Sequence, residues 1–489
     1  MQGSTETTVL SERLAEVEDA LNRRDLPRSL KLLGGLEDSK QTTSDASASE
    51  LSRYHFAHAR YHNYVGELSK ALLGVELALN LAREARNYSL AASQKMLLGV
   101  LKETLGNPEE SIEAYNEALA FRRRAEEYDK LYGPLVNIGL AHFKKGSLSQ
   151  ARRVLIRAEK CALRYSGPDE LRVCRLNRSR VALLMGDYKE CLTLLPERND
   201  PKIGDHDRAF VLQSLGMLNT FMMQKDKASR YLSQASDMFG QLGRRLDQVI
   251  CREYLGLNEH FSGSNEEAKS IFEDILSEDK LDPSSRAQTL RMLTETLVAK
   301  GDCDLALAKA LEAEEETAKV REQIELGALY RAYGRIYAKE GAKHRAREFF
   351  QMSIGIQRRT RARYELALSY LACGKSSVFS EPERNDYLRR AKELFASLDV
   401  PERVKQIGAL SFATIRLPLL GLRSFTAKRI LAVIGLPSLA LCLLASVLST
   451  TVIGESWARV AAFVGSGILM CETIIVMAVV KHRERKTKQ

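Results

Sequence analysis

Proline is scarce in this chain, 11 in 489 residues, and runs of β-branched residues are almost absent before residue 430. Both absences argue against strands, and the dominance of Ala, Leu, Glu, Arg and Lys favours helix. The eight cysteines, at 161, 174, 191, 251, 303, 373, 442 and 471, form no CxxC pair and no zinc-ligand spacing. That excludes a disulfide framework and a metal ribbon, and predicts a reducing compartment. Also missing are a Walker loop, a G-x-S-x-G elbow, an H-E-x-x-H helix and a dinucleotide fingerprint, so neither enzyme activity nor a cofactor is expected. Met1 to Leu10 lack the basic-then-apolar order of a secretory signal, which predicts that nothing sends the bulk of the chain across a membrane. A chain of this length is too long for one compact core, leaving several domains or an extended repeat array. The composition favours an all-α array.

A period is present. Gly66, Gly106, Gly146 and Gly186 stand 40 residues apart, and Gly263, Gly301, Gly341 and Gly374 are placed at similar turns. Seven residues before the turns come small residues: Ala59, Gly99, Gly139 and Ser179, then Gly216, Gly256, Thr294, Gly334 and Ala367. Five residues after the first turns stand Ala71, Ser111, Ala151 and Cys191, and later copies carry Ala228, Ala268, Ala306 and Ala346. A bulky residue follows one helical turn later, as with Tyr115, Leu155, Leu232, Phe272 and Phe350, and then a further alanine such as Ala118 or Ala158. Spacings of three, four and seven set all of these on one helix face.

The small–bulky–small pattern resembles the tetratricopeptide repeat from about Arg53 to Val400. It is clearest in LLGVLKETLGNPEESIEAYNEAL (97–119), IGLAHFKKGSLSQARRVLIRAEKCA (138–162) and YGRIYAKEGAKHRAREFFQMSI (333–354). The period near 40 exceeds the usual 34, so each helix pair gains about one turn, a variant similar to the repeat arms of bacterial signalling regulators and kinesin light chains. The resemblance implies a right-handed superhelical solenoid whose concave face is lined by the first helix of each pair, a surface suited to a peptide or a partner helix. Polar residues of those first helices, Asn137, Asn219, Glu259 and Arg335, are the candidate partner-binding residues. Pro196 should cut one second helix short, and an insertion, 376–386, should precede the last one, 387–395.

Two apolar stretches close the chain. Residues 430–453 carry no charge, and residues 460–480 carry a single acid, Glu472. As helices they span about 36 and 31 Å, enough to cross a bilayer core. The connector 454–459 is short, which predicts an antiparallel transmembrane hairpin. Its Gly465 and Gly467 favour close helix packing. Between Lys428 and the end there are eight Lys or Arg against three Glu. Basic residues flank the outer ends of both stretches, predicting that the solenoid and the tail are cytoplasmic. Glu472 is the intramembrane polar residue to watch, with Ser438 and Cys442 the nearest candidate partners once the hairpin folds. Ahead of it, SFATIRLPLLGLRSF (411–425) mixes apolar and basic residues as an interfacial segment would.

His55, His58 and His62 share a helix face with a spacing that could hold a metal. Tyr330, Tyr333 and Tyr337 fill the same slots in a later copy, so these read as packing positions and no metal is expected. The runs at Arg122–Arg124 and Arg358–Arg363 are balanced by acids such as Glu126, Glu127 and Glu314–Glu316, and lack interleaved aromatics. Nucleic acid is therefore not an expected partner.

The expected organisation is a degenerate helix pair and polar linker at 1–50, the solenoid at 51–400, a juxtamembrane segment at 401–429, the hairpin at 430–480 and a basic tail at 481–489. The expected function is a membrane-anchored scaffold that recruits a protein or peptide through its groove. The alternative is a sensor–effector in which a ligand on the solenoid controls the hairpin.

Overall fold

The structure, a computed structural model, describes residues 3–37, 46–197 and 203–409. The chain divides into two compact units, Met1–Ile407 and Gly408–Gln489. Of the second, only Gly408 and Ala409 fall among the described residues, so the expected hairpin, with Glu472 and Ser438, lies outside them. Among the described residues no helix is long and apolar enough to cross a membrane.

The first unit is a series of antiparallel helix pairs, and no strand occurs among the described residues. The pairs are α1 Gly3–Asn22 with α2 Leu26–Glu37, α3 Ala48–Tyr64 with α4 Leu68–Glu84, and α5 Tyr88–Thr104 with α6 Pro108–Arg124. There follow α7 Tyr132–Lys144 with α8 Leu148–Tyr165, α9 Pro168–Met185 with α10 Tyr188–Leu194, and α11 Asp205–Phe221 with α12 Lys225–Gln241. The last four are α13 Arg245–Ser262 with α14 Asn265–Leu276, α15 Pro283–Lys300 with α16 Cys303–Val320, α17 Gln323–Lys339 with α18 Lys343–Thr360, and α19 Arg363–Lys375 with α20 Glu381–Ser397.

Local chemistry fixes many of the helix ends. Ser47 starts α3 with a reciprocal box, its Oγ accepting from the Glu50 amide at 3.3 Å while Glu50 accepts from the Ser47 amide at 3.0 Å. Pro108, Pro168 and Pro283 open their helices at positions that need no amide donor. The turn glycines at 66, 106, 146, 186, 263, 301 and 341 all have positive φ. Met223 takes the same left-handed backbone, at φ 57°, between α11 and α12. Turns from one pair to the next use non-glycine left-handed residues as well, among them Arg86, Glu126, Arg321 and Arg361.

Within a pair, helices meet where the small residue of the first faces the bulky residue of the second. A Cβ at Gly139 would stand 2.7 Å from Leu155, one at Gly256 2.5 Å from Phe272, and one at Gly334 2.7 Å from Phe350. Tyr115, Leu155, Leu232, Phe272 and Phe350 are fully buried there, each contributing about 1.5–3 kcal/mol of apolar burial. Gly374 belongs to this contact set, not to the turns where the spacing placed it. It lies inside α19, and a Cβ there would be 2.6 Å from Leu388.

The first pair packs Leu10, Leu14, Val17, Leu21, Leu33 and Leu36 against Ala57 of α3. At the other end α20 begins at Glu381, inside the stretch expected to be an insertion, because Ser380 and Glu383 cap it. Packing continues past Val400 through the helical residues 401–409. Arg403 is buried there with its guanidinium 4.6 Å from the centre of the Phe261 ring, and Ile407 is buried.

The array also meets itself. The α5–α6 turn lies against the end of α16, where a Cβ at Gly106 would be 2.6 Å from the Lys319 carbonyl oxygen. One at Gly146 would be 3.0 Å from Gln323 and from Thr360, and Gly186 abuts Leu398 and Arg363. Inside this closure the Tyr364 ring lies tilted against Phe221, their centres 4.7 Å apart.

Candidate binding channel

Because the first helices of successive pairs run side by side, residues of like register on them face one shared interior. From α13 to α19 that interior is strongly charged. Arg291 of α15 holds Glu325 of α17 at 2.8 Å, and Glu295 of α15 lies 3.5 Å from Arg291 and 2.8 Å from Arg331 of α17. Arg331 goes on to Glu365 of α19 at 2.6 Å. These five side chains form a continuous ladder across three repeats. Burial alone would raise the Glu295 carboxyl, but Arg331 and Arg291 outweigh it and hold it down to about 2. A ladder so buried contributes little net stability as a whole, yet losing one rung strands its partner in a medium of low polarity.

The ladder has a cavity on each side. One, of about 120 Å³, is walled mainly by apolar side chains including Leu184, Met217, Phe221, Tyr254, Leu257 and Met292, with Arg180, Arg291 and Glu365 at its polar edge. Arg180 has no ion pair with any described residue, and lies 5.8 Å from the centre of the Phe143 ring. The other, of about 230 Å³, is walled by Glu295, Arg331, Arg335, Lys375, Arg403 and His260 together with the apolar Phe261, Leu368 and Leu371. Two more acids sit close by. Glu253 is buried against Thr289 at 2.8 Å, and burial lifts its carboxyl well above the usual range. Burial likewise lifts Glu322 to about 7, against the opposing bond from Ser284 at 2.5 Å.

The four residues singled out from sequence do not converge. Asn137 lies on α7 beside the Tyr115 hydroxyl, and Asn219 donates to the Leu215 carbonyl of its own helix at 2.6 Å. Glu259 is taken by Lys225 at 2.6 Å. Of the four, Arg335 lines one of these two cavities and the other three line neither. The residues missed are Arg180, Arg291, Glu295, Arg331, Glu365 and Arg403. Their signal was available, since acid and base alternate at separations of 34 to 36 residues along the first helices. His55, His58 and His62 share one face of α3 as expected, with His58 T-stacked on Tyr54 and His62 bonded to Glu67. Among the described residues no group of three His, Cys, Asp or Glu is arranged to hold a metal.

Comparison with known proteins bears on the fold. A tetratricopeptide repeat family model matches residues 95–124, within α5 and α6, and no curated protein matches. Among solved structures, the apo form of the quorum sensor NprR from B. thuringiensis aligns with a TM-score of 0.50 and 14% identity, over 72% of this chain and 99% of its own. The apo form of RapI gives 0.47 and 12%, over 72% and 98%. A Rap protein complexed with competence and sporulation factor gives 0.43 and 13%, over 85% and 100%. Identities this low speak to fold alone, and the fold is a tetratricopeptide-like, all-helical solenoid.

Proposed function

We propose that the chain is a membrane-anchored binding protein whose inner channel holds a peptide or a segment of a partner protein. The observation that carries this reading is the pair of cavities on one strip of first-helix side chains, one apolar and one basic, on either side of the buried ladder. Such an arrangement offers shape, apolar area and fixed charge to an extended ligand. The anchor rests on the uncharged stretch 430–453 and the nearly uncharged stretch 460–480, and the flanking basic residues favour a cytoplasmic solenoid and tail.

A photo-crosslinking side chain placed at Met217, inside the apolar cavity, should give a discrete adduct with a partner in cells. The same group at Leu163, which is 70% exposed, should not. Equal adducts from both positions, or none from Met217, would defeat the binding reading. For the anchor, a cysteine replacing Ser456 should react with an impermeant thiol reagent added outside intact cells. Labelling at the tail instead would reverse the orientation.

A second reading has a specific observation in its favour. Closure of the array through Asp187 and Arg363 provides an element that a ligand could open, as a sensor–effector requires. Exchange of residues 430–480 for an unrelated anchor would abolish the function of an effector and spare that of a scaffold.

A further inference from the structure

The basic cavity is unbalanced. Arg331, Arg335, Lys375 and Arg403 face it, and the one carboxylate there, Glu295, already serves Arg331 and Arg291 with its two oxygens. Arg335 makes no hydrogen bond or ion pair with any described residue, and feels Glu295, already shared by two other arginines, only as a longer-range attraction. Arg403 is only 8% exposed, and its Nε lacks a hydrogen-bond partner. Lys375 stands at the exposed rim of the cavity, also without an ion pair to any described residue. Cations drawn from water without matching counter-charge are costly, so the buried Arg403 and the half-buried Arg335 converging on one space with Lys375 at its rim, against the single carboxylate of Glu295, call for an explanation beyond packing.

We propose that this cavity is a carboxylate site, taking an acidic side chain of the peptide or protein segment that the channel binds. The inference rests on the binding reading above and adds the chemistry of the ligand. An arriving carboxylate would add a second counter-charge beside Glu295 and pair directly with Arg335 and Arg403, with Lys375 closing over it from the rim. A volume of about 230 Å³ accommodates such a side chain. The apolar cavity across the ladder would take a neighbouring apolar residue of the same segment. The protonation states agree: burial pushes Lys375 below its ordinary value with Arg403 and Arg335 adding to the effect, and burial pushes His260 down to about 4. Both directions reflect a space, shielded from water and already basic, that disfavours further positive charge.

Two measurements on the full-length chain test this. In the first, Arg335→Met keeps the apolar stem but removes the charge, so the unliganded variant should melt at the same temperature as the parent or about 1–3 °C higher. An arginine kept for structure would give a lower melting temperature, and that result would overturn the proposal. In the second, fluorescently labelled hexaglutamate and hexaglutamine are titrated against the chain. Hexaglutamate should bind at least tenfold more tightly, and Arg335→Met with Lys375→Met should remove that preference. Arg389→Gln with Arg390→Gln, at exposed positions of α20, removes the same net charge and should leave the preference intact. Equal binding of the two peptides, or a preference lost equally in the α20 variant, would sink the carboxylate site while leaving the crosslinking result to decide the binding reading. Inorganic phosphate is titrated in a separate arm. If it binds at the Arg335 and Lys375 positions more tightly than hexaglutamate, the site is for phosphate and the acidic side chain is excluded.

Discussion

Arg363 approaches Asp187, 176 residues earlier in the chain, to within 3.4 Å. Both side chains are about one-third exposed, so the pair itself should contribute under about 1 kcal/mol. What it marks is the place where the turn of one pair seats against the start of another, five pairs further along.

That seat depends on Gly186, whose φ of 78° and contact with Leu398 leave no space for a side chain. Gly186→Val should cost about 2–4 kcal/mol, combining left-handed strain with overpacking, and should enlarge the radius measured by small-angle scattering. Asp187→Ala should leave the radius unchanged. Equal effects from the two would mean that the seat is not fixed by the glycine.

Close approach within pairs can be separated from helix propensity. Gly256→Ala should destabilise by about 2–3 kcal/mol because its Cβ meets Phe272. Gly355→Ala, inside α18 with nothing within 4 Å of the added atom, should stabilise by about 0.5–1 kcal/mol. Denaturant midpoints of the two variants report the difference.

Removing one rung of the ladder should be expensive. Arg331→Met takes Glu365 from its ion-pair partner and leaves Glu295 with Arg291 alone, and should cost about 3–5 kcal/mol. Glu295, held at about 2, favours the folded chain at any pH above its unfolded value near 4.3. This contribution fades as pH falls from there towards 2. Acid titration of Glu295→Gln should therefore show a shallower loss of stability below pH 4 than the parent.

Glu322 has the opposite sign. A carboxyl raised to about 7 holds its proton more tightly in the folded chain, so stability declines as pH rises from about 4.3 through 7. Glu322→Gln never ionises. It should melt close to the parent at pH 5 and above it at pH 8, and a constant difference across that range would refute the assignment.

Chain length offers a further test. Ending the protein after residue 409 keeps Arg403 on Phe261 and Ile407 in the core, whereas ending it after Val400 loses both. The longer piece should be the more stable by about 1–3 kcal/mol.

Much of the fold was legible in the sequence because the repeat is written in small residues. Gly99, Gly139 and Gly256 announce helix contacts, and Gly106 and Gly146 announce turns. Gly374 misled because a glycine satisfies either need and only its partner, Leu388, tells which one applies. Met223 was invisible for the converse reason, a left-handed turn without a glycine. The channel was harder to read. A charged residue on a first helix looks the same whether it meets water or another charge, so Arg291, Glu295 and Arg331 were not singled out. Their burial comes from the array's return on itself, which depends on contacts such as Gly146 with Thr360 that no local pattern encodes.

Those return contacts change how the molecule should come apart. In an open stack of repeats, terminal pairs fray first and the loss spreads inwards one interface at a time. Here α5 to α10 are fastened at their turns to α16 to α20, so a pair in either group is held from two directions. Opening one should therefore draw on distant pairs as well, and amides of α9 and α19 should exchange with solvent at nearly equal free energies although they lie far apart in the chain.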